Sequence, residues 1–138
     1  MGFRISILCI GFLLLTSFIS QDSFAEELLV LQTSPDGVQR AEIIAGSYSY
    51  IPDHLIIKLN VPVELTIRSK TWIVPHTIVL RDPDAGLEIH QDIPAGKSAV
   101  VRFIPTRLGK FKYYCDKKLL FFKSHEDRGM TGILEVTE

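Results

Sequence analysis

The sequence predicts an all-β domain, a Greek-key β-sandwich of two antiparallel sheets with about eight strands. Three observations carry that prediction. Short segments alternate apolar and polar residues with period two. Turn signals rich in Gly, Pro, Asp and Asn recur at roughly ten-residue intervals. No segment after Val38 shows a 3.6-residue apolar period long enough for a crossover helix, which disfavours a parallel α/β architecture.

Arg40 to Ala45 reads as a strand that breaks at Gly46, and Ile51-Pro52-Asp53 reads as a turn. Leu55, Ile57 and Leu59 then alternate with Ile56, Lys58 and Asn60 before Asn60-Val61-Pro62 turns the chain. Val63, Leu65 and Ile67 alternate with Glu64, Thr66 and Arg68, the pattern of a half-buried strand. Trp72 to Pro75 crosses to a strand at His76 to Leu80, and Asp82 to Gly86 is the next turn. A short strand at Leu87 to His90 precedes the Ile93-Pro94-Ala95-Gly96 turn. Ala99, Val101 and Phe103 alternate with Val100, Arg102 and Ile104. Arg107-Leu108-Gly109 leads into Lys110 to Cys115, and Gly132 to Thr137 is the last strand. The loop from Cys115 to Met130 has room for one helical turn.

The N-terminus reads differently. Arg4 precedes an apolar run from Ile5 to Ile19 that is too short to span a bilayer comfortably, and Ser23-Phe24-Ala25 offers small residues before a cut. The expectation is a secretory signal peptide over residues 1–25, cleaved after Ala25, then an N-terminal arm over 26–37 and a single domain over 38–138. The product would be exported, in the periplasm for a bacterial host, with no stable membrane insertion after cleavage. Fifteen basic against 16 acidic residues give no strong pull toward nucleic acid.

Cleavage would remove Cys9 and leave Cys115 as the one cysteine, so no internal disulfide could form. An odd thiol in an oxidising compartment calls for an explanation, and metal ligation supplies one. Tyr113 to Val136 carries Cys115, His125 and Met130 between two strand-like segments, and His76 opens another. His76 is in phase with Ile78 and Leu80, and Cys115 with Phe111 and Tyr113. Inward-facing apolar sides would therefore aim both ligands into one end of the sandwich. A thiolate, two imidazoles and a thioether form the set that selects a single copper ion for one-electron transfer. His54 and His90 read as surface or turn histidines. Asp116, Glu126 and Asp127 read as solvated loop charges, with Glu126 an outside candidate for an axial oxygen.

Pro75-His76, Tyr114-Cys115 and the run His125-x-x-x-Gly129-Met130-x-Gly132-x-Leu134-x-Val136 together resemble the cupredoxins. Tyr50-Ile51-Pro52, Ile93 to Ser98 and Phe103 to Phe111 resemble the same family. The resemblance covers about Val38 to Glu138. It implies His76, Cys115 and His125 as equatorial copper ligands and Met130 as the axial one. Two features depart from the family pattern. The Cys115–His125 spacing is longer than in the small blue-copper carriers, which implies a perturbed, more open or red site. Thr77 stands where many relatives carry Asn; its hydroxyl is expected to hydrogen-bond a neighbouring loop.

Leu119-Leu120-Phe121-Phe122, bounded by Lys117, Lys118 and Lys123, reads either as a lid over the sandwich end or as an exposed patch beside the metal. In the second case a redox partner protein would dock near Leu119–Phe122, and the lysines would favour an acidic one. The expected function is a one-electron carrier. Alternatives are copper storage or delivery, an accessory domain of a respiratory or metal-uptake system, and a metal-free adhesion sandwich that would leave Cys115 unexplained. No paired carboxylate motif, nucleophile elbow or second metal cluster points to an enzyme.

Overall fold

A computed structural model describes residues 27–138. The expected signal peptide, its cut after Ala25 and Cys9 lie outside the described residues. The chain forms ten strands in two sheets. They are β1 (Leu28–Val30), β2 (Gln39–Gly46), β3 (Ser49–Ile51), β4 (His54–Lys58), β5 (Val63–Ser69), β6 (His76–Asp82), β7 (Leu87–Ile93), β8 (Ser98–Phe103), β9 (Gly109–Tyr114) and β10 (Thr131–Thr137). The larger sheet runs β1-β4-β10-β9-β6-β7 and the smaller β3-β2-β5-β8.

Alternation sets which side of each strand meets the core. Val63, Leu65 and Ile67 of β5 are buried, while Glu64, Thr66 and Arg68 are not. Across the sandwich, Gly132, Leu134 and Val136 of β10 and Phe111 and Tyr113 of β9 are buried in turn. Strand β6 lies between β9 and β7, and each of its first five residues, His76 to Leu80, is buried. Among the described residues, no helix is long and apolar enough to cross a membrane.

Three expectations change. The sheets are mixed rather than antiparallel: β1 with β4, β4 with β10, and β2 with β5 all pair parallel. The chain repeatedly switches sheets, from β3 to β4 and from β4 to β5, so several strands that neighbour in space, such as β4 and β10 or β2 and β5, are not consecutive in sequence. Ten strands appear where about eight are expected. Ser49–Ile51 forms a short edge strand on β2, and part of the expected arm, Leu28–Val30, forms an edge strand on β4. Finally, β4 stops at Lys58, because Asn60 adopts a left-handed φ of 57° that ends the extended run. The expected helical turn in the Cys115–Met130 loop is a 3₁₀ turn at Glu126–Arg128.

Candidate metal centre

The residues that converge come from three places. His76 opens β6, Cys115 follows β9, and His125 closes the loop that leaves Cys115. One ligand atom from each lies within 4.8 Å of the others, and all three residues are buried. Cys115 Sγ is 3.4 Å from His125 Nδ1, and the two imidazole rings stand 5.3 Å apart.

Backbone hydrogen bonds hold the loop in this shape. Glu126 N–H donates to the Cys115 carbonyl (2.9 Å) and His125 N–H to the Lys117 carbonyl (2.8 Å). Met130 is stitched to both partners: its N–H donates to the His125 carbonyl (2.9 Å), and its carbonyl accepts from Cys115 N–H (3.1 Å). Met130 is fully buried. Gly129 makes the reversal at φ 95°, a left-handed value at which a side chain would strain the backbone.

The hydrogen-bond network sets the tautomer of His76. Thr71 Oγ1 donates to the Val74 carbonyl (2.5 Å), so it accepts from His76 Nε2–H (3.0 Å). Nδ1 is then left with a bare lone pair. It is buried and has no hydrogen-bond partner, the one such side-chain atom among the described residues. A buried, unpartnered acceptor is costly unless something binds it. Burial, assisted by His125, pushes the His76 pKa down to about 4, which keeps the ring neutral and its lone pair available. Burial first, then Arg128 and Lys117, lowers His125 as well. A thiol sulfur beside two imidazole nitrogens is a donor set for a soft or borderline metal such as copper.

The cysteine sulfur has its own surroundings. Thr77 N–H points at Cys115 Sγ (3.3 Å), and Thr77 Oγ1 lies 3.5 Å from it. The expected loop contact of Thr77 is present: its hydroxyl donates to Asp116 Oδ1 (2.7 Å) and accepts from Asp116 N–H (3.1 Å). Tyr50 Oη donates to the Thr77 carbonyl (2.5 Å).

Several expected roles are corrected. His54 is a buried strand residue rather than a surface or turn one, with Nε2 2.9 Å from Glu135 Oε2. His90 is a surface residue of β7, as expected, and it pairs with Asp116 at 3.0 Å. Asp116 is an exposed loop charge, as expected, and is tied to both Thr77 and His90. Glu126 faces Lys112 (2.5 Å), which turns its carboxylate away from an axial role, and Asp127 exchanges hydrogen bonds with Ser124. The lid alternative for Leu119–Phe122 is also overturned: Phe121 is 90 % exposed and Leu119, Leu120 and Phe122 are exposed too. Sequence reasoning missed Tyr48 and Thr71. The Tyr48 ring meets His125 edge-on at 5.1 Å and carries Arg128 on its face. Only tertiary structure brings Tyr48 there. Thr71, five residues before His76, had a turn-forming hydroxyl as its one signal.

The chain belongs to the cupredoxin-like domain family, whose model matches residues 8–129 and so stops one residue short of Met130. Solved structures share the fold at low identity. The metal-binding domain of the Cu(I)-exporting P-type ATPase CopA of Streptococcus pneumoniae, solved with Cu(I), is 21 % identical with a TM-score of 0.60, over 82 % of this chain and 98 % of that one. Auracyanin B is 23 % identical with a TM-score of 0.57, over 72 % and 88 %. Auracyanin A from Chloroflexus aurantiacus, a blue copper protein, is 16 % identical with a TM-score of 0.55, over 73 % and 100 %. No curated protein matches the chain.

Proposed function

We propose that this protein is an exported one-electron carrier in which His76, Cys115, His125 and Met130 would hold a single copper ion. The observation that carries this reading is the buried lone pair of His76 Nδ1, left without a partner beside a thiol and a second imidazole. Copper bound there would supply one-electron exchange between its two oxidation states.

The chain's own residues do the rest. Thr71 holds the His76 tautomer, so the donor atom needs no rearrangement to bind. Thr77 N–H directs a dipole at the sulfur and helps fix its position. The paired strands under Cys115 and the closed loop to Met130 hold the backbone of the donor residues in place, which would let a bound copper ion exchange an electron with little rearrangement of the protein. His125 is the ligand nearest solvent, at 8 % exposure, and would be the route by which an electron enters or leaves.

The test is Cu(II) titration of the purified protein with visible absorption. A strong thiolate-to-copper band at one equivalent, absent in Cys115→Ala and His76→Ala, is expected. A preference for zinc with no visible band would refute the carrier reading and favour a storage or structural role.

A further inference from the structure

Two apolar loops project at the pole that carries His125. One is Trp72-Ile73, 88 % and 89 % exposed; the other is Leu119 to Phe122, with Phe121 at 90 %. Such values leave most of each of these side chains in water. The second loop is a tight turn, closed by Phe122 N–H donating to the Leu119 carbonyl (3.0 Å), with Leu120 held at a left-handed φ of 48°. A non-glycine residue in that region costs energy and persists where the surroundings enforce it. Here it sets four large apolar side chains facing water. Between the loops lies a groove of about 320 Å³, lined by Ile73, Val74, Leu119 and His125 among others.

Charge at this pole is sorted. Asp92 is taken by Lys117, Asp116 by His90 and Glu126 by Lys112. Lys118 and Lys123 bracket the apolar turn, Lys70 precedes Trp72, and Lys97 follows Gly96, against which Trp72 lies. None of these four lysines makes an ion pair within 4.0 Å of a carboxylate among the described residues, although Lys118 and Lys123 lie near enough to Asp127 to help lower its pKa, after its hydrogen bonds with Ser124.

We propose that this pole docks on an anionic phospholipid surface, the two apolar tips entering the interface and the four lysines meeting phosphate headgroups. Tryptophan and phenylalanine at the tips with lysines flanking each loop match the layering of a membrane interface. Long lysine side chains reach the headgroups while their stems stay apolar. An acidic protein is the competing occupant. It is less well matched, because aromatic anchors in protein interfaces fill pockets within a flat, closely packed patch, whereas these project from separate loops across a groove. The docking is peripheral and leaves the chain outside the hydrocarbon core. It would confine exchange at His125 to partners in or on the same membrane.

Trp72 is the single tryptophan of the chain and reports directly. The full chain is mixed with vesicles of phosphatidylcholine alone or with an equimolar share of phosphatidylglycerol, and Trp72 emission is recorded. Brominated acyl chains serve as quenchers. The expected result is a blue shift and bromine quenching in anionic vesicles only. Leu120→Ser with Phe121→Ser, on the other loop, should weaken the apparent affinity on the order of tenfold or more. Lys118→Glu with Lys123→Glu should abolish the preference for anionic lipid. Because both readouts sit at Trp72, vesicle binding through the apolar N-terminus does not mimic them. A solvent-like Trp72 emission in anionic vesicles, or insertion indifferent to both double variants, overturns the proposal and leaves the pole to a protein. No metal is needed, so this failure is separate from failure of the copper reading.

Discussion

Gly132→Ala tests the packing beneath the metal centre. Gly132 lies directly opposite Tyr113 in the β9–β10 ladder. A Cβ added at Gly132 would stand 2.5 Å from Tyr113 Cε2 and closer still to Cζ and Oη. The ring has little room to yield. It is 1 % exposed, meets the Tyr50 ring at 5.2 Å, and its hydroxyl donates to the Pro52 carbonyl at 3.1 Å. Overpacking of this kind costs about 1–3 kcal/mol. If the ring moves, the bond to Pro52 is lost as well, at about 1 kcal/mol. The substitution should therefore destabilise the protein by about 2–4 kcal/mol, measured by urea denaturation of the metal-free form. In a double-mutant cycle, Tyr113→Leu should absorb much of this cost, so that the pair is less destabilised than the sum of the two. Tyr113 lies two residues before Cys115, so copper affinity should fall together with stability. A Gly132→Ala protein within about 0.5 kcal/mol of the parent, a change typical of neutral surface sites, would refute the close-packing argument.

Other outcomes follow from the same contacts. Thr77→Val keeps the shape but removes the hydroxyl that links β6 to Asp116, and should cost about 1–3 kcal/mol by denaturation while changing the alkylation rate of Cys115 in the metal-free protein; an unchanged rate would remove Thr77 Oγ1 from the sulfur's surroundings. Tyr50→Phe leaves the buried Thr77 carbonyl short of a donor and should destabilise by a similar amount, whereas Tyr48→Phe, whose hydroxyl meets exposed Arg128, should be nearly silent in the same assay. The imidazole of His54, and secondarily Lys110, hold the Glu135 carboxyl below its usual range. A depressed folded-state pKa means that this contribution is fully present above about pH 4.5 and is lost as pH falls through the folded value. Glu135→Gln should accordingly flatten the acid limb of a stability–pH profile and lower stability near neutrality; a profile unchanged below pH 4.5 would count against the pair.

Strand positions were legible because burial on one face imposes period two, and Val63 to Arg68 or Ala99 to Phe103 could hardly read otherwise. The donor types were legible too. Cys115, His125 and Met130 share one loop, and the phase of His76 with Ile78 and Leu80 aimed it at the same end. What the residues could not say was which sheet each strand joins. Turn signals mark where a strand stops, not which neighbour accepts its hydrogen bonds, and so the parallel pairing of β4 with β10 was invisible. Edge strands Leu28–Val30 and Ser49–Ile51 were hidden for a related reason: at three residues each they are too short to display a period.

The composition and spacing of this chain by themselves determined an all-β domain with a mixed sulfur and nitrogen donor set, because side-chain periodicity and ligand chemistry are local properties. Tertiary structure alone decided that Thr71 bares the His76 lone pair, that Tyr48 leans on His125, and that Leu119 to Phe122 stands in water. Those facts depend on how distant segments pack, and packing geometry is not encoded at any one position.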